Sequence, residues 1–223
     1  DNIISACITL LKSKLPDYVS ADSYDIQIMS PMKKGMLGVE RLNLILQQHL
    51  NPKHPKKPEK EFDGKVYRVG DKVMQTKNNY QIEWSVKNDI GIAMEKGQGV
   101  YNGDIGIIRY INDFEEFIRV EFDDRKIVEY PYSEANQLEL AYAITIHKSQ
   151  GSEYPAVIIP MYPGPKMLMN RNLIYTAITR AKTCVALVGE PECFYEMVQN
   201  TSQMKRYSSL DRQIKNLLEL NSN

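Results

Sequence analysis

The chain has 223 residues, with 28 basic and 28 acidic side chains, three histidines and three cysteines. A 43% hydrophobic fraction with 25% charged residues excludes wholesale disorder and collagen-like order. The zero net charge excludes a uniformly basic nucleic-acid coat, but it sums unlike parts: +3 over residues 1–60, −6 over 61–140 and +3 over 141–223.

Ile3, Ile4, Cys7, Ile8, Leu11 and Leu15 recur at three- and four-residue spacing, which predicts an amphipathic helix ending near Pro16. The opening at Asp1 rather than Met reads as the middle of a longer sequence. Ile26–Met29 is a short strand stopped by Ser30-Pro31, and a second helix follows Gly38. Its stripe is Val39, Leu42, Ile45, Leu46 and His49. Residues 51–60, rich in proline and lysine, are a loop.

The middle is β-rich. Val66–Gln75 alternates around Gly70-Asp71, and Asn102-Gly103 is the dipeptide of a tight hairpin turn. Runs at Ile105–Ile111, Phe117–Phe122 and Lys126–Tyr130 complete a small barrel or sandwich with an acidic surface. A helix–strand rhythm then returns: strands at Leu140–Ile146, Ala156–Pro160 and Val185–Val188, helices at Leu168–Ala181 and Glu192–Val198, and a polar helix near Leu210–Leu220. The expected organisation is an α/β domain (1–61 and 138–200) interrupted by a β-module (62–137), with a C-terminal helix or tail (201–223).

No apolar run reaches the roughly 18 residues of a membrane span, and no signal-peptide pattern opens the chain. Cys7, Cys184 and Cys193 form no CxxC pair, and no histidine cluster accompanies them. Reduced thiols in a cytosolic protein, with no metal site, are expected.

Chemistry concentrates in Ala141–Tyr154, AYAITIHKSQGSEY. A strand runs into Thr145, His147, Lys148, Ser149 and Gln150, then Gly151-Ser152-Glu153, where open α/β sheets bind ligands. Gly151 permits close backbone approach to a phosphate or sugar, and Glu153 offers acceptors for ribose hydroxyls. A plain polar loop is the other reading of these residues. After the expected strand at Gln75, Thr76, Lys77, Asn78 and Asn79 suit sugar and phosphate contacts, or equally a polar turn. Tyr80 and Trp84 could stack a base, although a lone tryptophan more often packs into a core. No G-x-x-x-x-G-K-[ST] occurs, and no convincing acidic Walker B cluster follows an apolar strand.

TIHKSQGSEY (Thr145–Tyr154) resembles motif V of superfamily 1 helicases, and LIYTAITRAKTCVALVG (Leu173–Gly189) resembles their motif VI. IMSPMKKGMLGVERLN (Ile28–Asn43), GDKVMQTKNNY (Gly70–Tyr80) and VYNGDIGII (Val100–Ile108) extend the likeness to the RecD/TraA-like branch. The resemblance implies the second RecA-like motor domain, of the P-loop-NTPase type but without Walker motifs, carrying a small SH3-like β-barrel. Arg180 would be the finger that reaches the ATP γ-phosphate, and Lys34 would approach the same phosphate. Gly151 and Glu153 would face the nucleotide; Thr145, His147 and Lys148, together with Thr76–Asn79, would face single-stranded DNA.

The resemblance further implies ATP with Mg2+, whose ligands would lie in an N-terminal RecA-like domain outside this chain. Alone, the chain should not hydrolyse ATP. Movement would be 5′-to-3′, in repair or recombination, in the bacterial cytosol or nucleoid and away from membranes. Two alternatives remain: the α subunit of an exodeoxyribonuclease V-type complex with nuclease and helicase partners, and a non-catalytic partner-docking module.

Overall fold

The computed structural model describes residues 2–87 and 93–201, with Ser209, Gln213 and Ile214 beyond them. The helix expected near Leu210–Leu220 lies almost wholly outside the described residues.

The opening helix does not end at Pro16. Helix α1 (Asn2–Thr9) passes through a π turn at Leu10–Lys14 into α2 (Leu15–Val19). A proline inside a regular helix would orphan the carbonyl four residues back. In the wider turn Leu15 N–H donates to Leu10 O, and Pro16 occupies the first turn of α2, where no N–H is required. Ser20, left-handed at φ 51°, terminates the segment.

Strand β1 (Gln27–Ser30) and helix α3 (Val39–Leu50) follow as expected. An antiparallel hairpin comes next, β2 (Glu59–Phe62) and β3 (Lys65–Arg68), turning at Asp63 and Gly64 with φ of 48° and 75°. The module continues with β4 (Lys72–Gln75), β5 (Asn79–Lys87), β6 (Ala93–Val100), β7 (Ile105–Asn112), β8 (Phe117–Phe122), β9 (Lys126–Pro131) and β10 (Leu138–Leu140). These seven strands form one antiparallel sheet in the order β10-β4-β7-β8-β9-β5-β6. Its core holds Tyr67, Val73, Ile108, Ile118, Val120, Val128 and Tyr130.

The Asn102-Gly103 turn is not a hairpin: β6 pairs with β5, while β7 pairs with β4 and β8. Only Gly103 has positive φ, 102°, and Asp104 N–H donates to Tyr101 O at 3.0 Å. That is type II geometry, which sends the chain across to another strand.

Leu140–Ile146 is not one strand but two elements in different sheets. β10 ends at Leu140, and β11 (Ala143–Thr145) pairs in parallel with β1. The joint, Ala141-Tyr142, is buried and apolar, so its composition hides the break. β12 (Tyr154–Met161), α4 (Arg171–Ile178), β13 (Ala181–Gly189) and α5 (Pro191–Gln199) complete the fold. α4 is shorter than expected: Asn170 caps its start by accepting from Leu173 N–H at 3.0 Å, and Ala181 already belongs to β13.

The parallel sheet runs β11-β1-β12-β13. Successive residues alternate faces, as strand geometry requires. Ile28, Ala143, Ala156 and Ile158 pack with α1 and α3; Met29, Ile144, Val157 and Ile159 pack with α4 and α5. Helices on both faces of a parallel sheet make the RecA-like layering expected from sequence.

The module is keyed into this domain through Asp71, which is fully buried. Its carboxylate accepts from Gln47 Nε2 at 2.6 Å, Asn51 Nδ2 at 2.6 Å, Arg68 N–H at 2.7 Å and Tyr142 Oη at 2.8 Å. Burial pushes its pKa above the ordinary aspartate range, and the four donors oppose that shift. Asn43, one turn before Gln47, donates to Leu140 O and Ala143 O. The buried face of α3 is therefore half polar, a stripe of Asn43, Gln47 and Asn51 beside Leu42 and Leu46. Met74 of β4 enters the core between the parallel sheet, α4 and α5, so apolar contact supplements the polar joint.

Asp71→Ala would strand four donors in a dry interior, each costing about 1–3 kcal/mol. Urea denaturation of that variant should show a loss of at least about 3 kcal/mol. A loss below about 1 kcal/mol would mean the carboxylate does not hold the joint.

Candidate functional site

The segment that resembles motif V is the crossing from β11 to β12. A 3-10 turn, Ile146–Ser149, leaves Thr145, and residues 150–153 lead into Tyr154. Ser149 is buried, and its hydroxyl donates to Ile146 O at 2.7 Å, tightening the turn. Because β11 and β12 are parallel, this crossing carries the chain from the carboxyl end of one strand to the amino end of another. Ile28 is level with both Ala143 and Ile158, so Ser30 and Thr145 stand near Pro160, six residues beyond Tyr154. At about 3.3 Å per residue, the two ends of the crossing lie about 20 Å apart.

This divides the expected site residues into two groups. At the β12 end, Tyr154 N–H donates to Arg180 O at 2.9 Å, binding motif V to motif VI. The Arg180 guanidinium reaches Ser152 O at 3.2 Å, Thr176 O at 3.3 Å and Thr179 Oγ1 at 3.3 Å. All three acceptors are neutral, so the side chain is oriented without a direct carboxylate partner among the described residues. Gly151 has φ of 91°, and a Cβ built there would meet nothing within 4 Å, leaving open space against the backbone. Glu153 is exposed and 3.8 Å from Lys182. A fixed, half-buried guanidinium beside an open glycine suits a phosphate, which Arg grips with a planar fork of donors.

At the β11 end stand Thr145, exposed His147 and half-buried Lys148. Lys148 Nζ donates to Glu139 at 2.9 Å. Lys34 belongs to this end of the molecule. It lies in the loop after β1, whose Lys33 also reaches Glu139, at 3.8 Å. The expected convergence of Lys34 and Arg180 on one phosphate is not what the sheet builds, because the two occupy opposite ends of its strands. Lys34 is exposed, and its backbone is fixed from behind by Gly38, where an added Cβ would lie 2.4 Å from the Lys34 carbonyl carbon.

The Thr76–Asn79 loop is largely occupied with its own structure. Thr76 Oγ1 donates to Gln137 O, Asn78 accepts from Asn102 N–H, and Asn79 Oδ1 accepts from Gln81 and Ile82 N–H. Lys77 points into solvent, and exposed Tyr80 and Tyr101 make an edge-on pair at 5.9 Å beside it. Trp84 instead packs over Gly97, where any Cβ would meet the indole at 2.3 Å.

Sequence reasoning missed the acidic cleft between the two parts of the fold. Asp25, Asp104 and Asp123 line about 500 Å³ together with Gly151–Pro155 and Lys72. Lys72, which sits in the recognised GDKVMQTKNNY segment, is buried and donates to Tyr24 O. Only its position after Gly70-Asp71 could have signalled this. Burial depresses its ammonium to about 8, with Asp25 and Asp123 pulling the other way. No group of three or more His, Cys, Asp or Glu residues with metal-binding geometry occurs among the described residues. No helix there is long and apolar enough to cross a membrane.

Comparison with known proteins gives the family. Residues 140–188 match the family described as UvrD-like helicase C-terminal domain, which defines the class: a helicase C-terminal region. Residues 42–122 match the ATP-dependent RecD-like DNA helicase SH3 domain, and the chain belongs to the RecD-like helicases. It is 34% identical over 187 residues to the ATP-dependent RecD2 DNA helicase of Deinococcus radiodurans, covering 84% of this chain and 23% of that protein. It is 29% identical over 163 residues to the RecBCD enzyme subunit RecD of Mycolicibacterium smegmatis, covering 73% and 25%. The chain thus spans about a quarter of the length of these relatives. A Bacteroides Pif1 helicase crystallised with ADP-AlF3 and ssDNA shares the fold at TM-score 0.50 and 18% identity, covering 98% of this chain and 55% of that one.

Lys72 gives a test of the cleft that needs no ligand. The folded chain releases its proton near pH 8, the unfolded chain near 10.5, so the unfolded state holds more protons between these values. The Lys72 contribution to stability therefore rises with pH across that window. Lys72→Met should flatten the stability–pH curve between pH 8 and 10 relative to the parent chain; identical slopes would place the ammonium in solvent.

Proposed function

We propose that the chain acts as the C-terminal motor half of an ATP-dependent DNA helicase that moves 5′-to-3′ on single-stranded DNA. The observation that carries this reading is the motif V crossing. Its Lys148 end carries cationic and polar groups suited to nucleic acid, and its Ser152 end is hydrogen-bonded to Arg180. One short segment thereby touches both candidate sites, the adjacency a motor needs to convert nucleotide state into grip.

In this reading, ATP with Mg2+ occupies a cleft between this domain and an N-terminal RecA-like domain that supplies the phosphate loop and metal ligands. Arg180 contributes the charge that steadies the transferring phosphoryl group, Gly151 leaves room for the nucleotide, and Glu153 accepts from its sugar. Thr145, His147 and Lys148 hold the DNA backbone without reading sequence, Lys34 flanks them, and Thr76–Asn79 forms the edge of the module along the track. The likeness to a RecBCD subunit favours a second assignment for the same motor, as the helicase α chain of a helicase–nuclease assembly, with cleavage residing in another chain.

In the intact motor, Arg180→Ala should lower DNA-stimulated ATP hydrolysis by about 10³-fold or more while DNA affinity stays within about two-fold. Near-parental turnover would remove the finger from this residue. Isothermal titration of the chain by itself should show little or no ATP binding, and no hydrolysis should accompany it. Steady turnover there would mean a complete site had been overlooked.

A further inference from the structure

Among the described residues, most ion pairs of the module join one or two cations to one carboxylate: Arg109 with Glu121, Arg119 with Glu129, Lys60 with Asp113, and Arg68 and Lys53 with Glu59. Glu139 departs from this pattern. Lys148 lies 2.9 Å from its carboxylate, Lys65 3.6 Å and Lys33 3.8 Å. Lys33 also touches Glu40, at 4.0 Å. The three lysines come from three places: the loop after β1, the start of β3 and the β11–β12 crossing. Glu139 itself sits on β10, at the junction between the two sheets.

Like charges do not gather without a reason, since three ammonium groups around one carboxylate repel one another. The scaffold nonetheless holds them. Lys65 follows a tight Asp63-Gly64 turn, and its hairpin is pinned by Gln47 Nε2 donating to Val66 O at 2.9 Å and by the Phe62–Tyr132 ring contact. Burial alone would push the Glu139 carboxyl up; the Lys148 hydrogen bond and the charges of Lys148, Lys65 and Lys33 hold it below the ordinary glutamate range. Lys33 and Lys65 keep 60% and 51% of their side chains exposed, so both ammonium groups remain free to turn to another anion.

We propose that Lys33, Lys65 and Lys148 form one cluster for the phosphodiester backbone of single-stranded DNA. Glu139 holds their ammonium groups together until a phosphate takes its place. The proposal rests on the DNA-motor reading and deepens it. It gives the β2–β3 hairpin a contact with the strand, and it couples the module to motif V through a shared counter-charge. Lys33 and Lys65 are backbone contacts without sequence preference; Glu139 is a positioning residue.

The test is a fluorescence-anisotropy titration of a labelled oligothymidylate against the intact motor, repeated over a range of salt concentrations, with ATP affinity measured in parallel. For single strands the slope of log K against log salt changes by about 0.7 per neutralised phosphate. Lys33→Ala/Lys65→Ala should weaken binding about ten-fold or more and make the slope shallower by about 1.4. Lys33→Arg/Lys65→Arg should restore both, and Glu139→Gln should bind at least as tightly as the parent. Loss of affinity in Lys148→Ala alone, with the double alanine variant unchanged in affinity and slope, would overturn the cluster and leave the DNA reading standing. Weakened ATP binding without weakened DNA binding would assign the lysines to nucleotide phosphate and overturn the proposal. Absence of DNA binding by the parent motor would end both.

Discussion

A single buried carboxylate, Asp71, decides how the two halves of this molecule sit against each other. An ionised group in a dry interior is costly unless every lone pair finds a donor. Here the donors come from α3, from the β3–β4 turn and from Tyr142 between the sheets. The four directional bonds form together when these three segments meet at the carboxylate, so the polar joint constrains orientation more tightly than non-directional apolar contact does. Ile108 N–H donating to Asp71 O at 2.9 Å ties β7 into the same point.

With the joint fixed, the position of everything around motif V follows. The β2–β3 hairpin lies close enough for Lys65 to share Glu139 with Lys148, and Lys72 and Asp123 face Gly151–Pro155 across the acidic cleft. The charge division seen in the sequence acquires a spatial meaning. Acidic side chains of the module border the cleft near Arg180, whereas its Lys65 joins the basic residues at the far end of the crossing. The cleft's carboxylates disfavour a nucleic-acid backbone along that side. Strand polarity separates the two candidate sites, and the motif V segment is the covalent link between them.

The strands of the parallel sheet were legible because period-two alternation and apolar runs survive in Ile26–Met29 and Ala156–Pro160. The family was legible because the segments around Gly151, Glu153 and Arg180 keep a recognisable order and spacing. The failures share a cause: local patterns do not report tertiary partners. Asn43, Gln47 and Asn51 are spaced as one helical face, yet polar side chains read as solvent-facing until a buried carboxylate across the joint is known. Ala141-Tyr142 looks like continuing strand because its change of sheet leaves no polar mark. Asn102-Gly103 suggests a hairpin, but its type II turn is tied by Gly103 N–H donating to Gln75 O, a contact with the end of β4 remote in sequence. The placement of Lys34 opposite Arg180 required strand register, which the sequence does not carry.

The most direct test of the account is native-state hydrogen exchange at the Asp71 joint. If the carboxylate makes one cooperative body of the sheet domain and the module, the amides of Arg68, Gly70 and Ile108 exchange only through the opening that also exposes β12, with matching free energies. Exchange of these three amides through a separate, low-energy opening, orders of magnitude faster than Val157 and Ile158, would show that the joint breathes independently and would contradict the central claim.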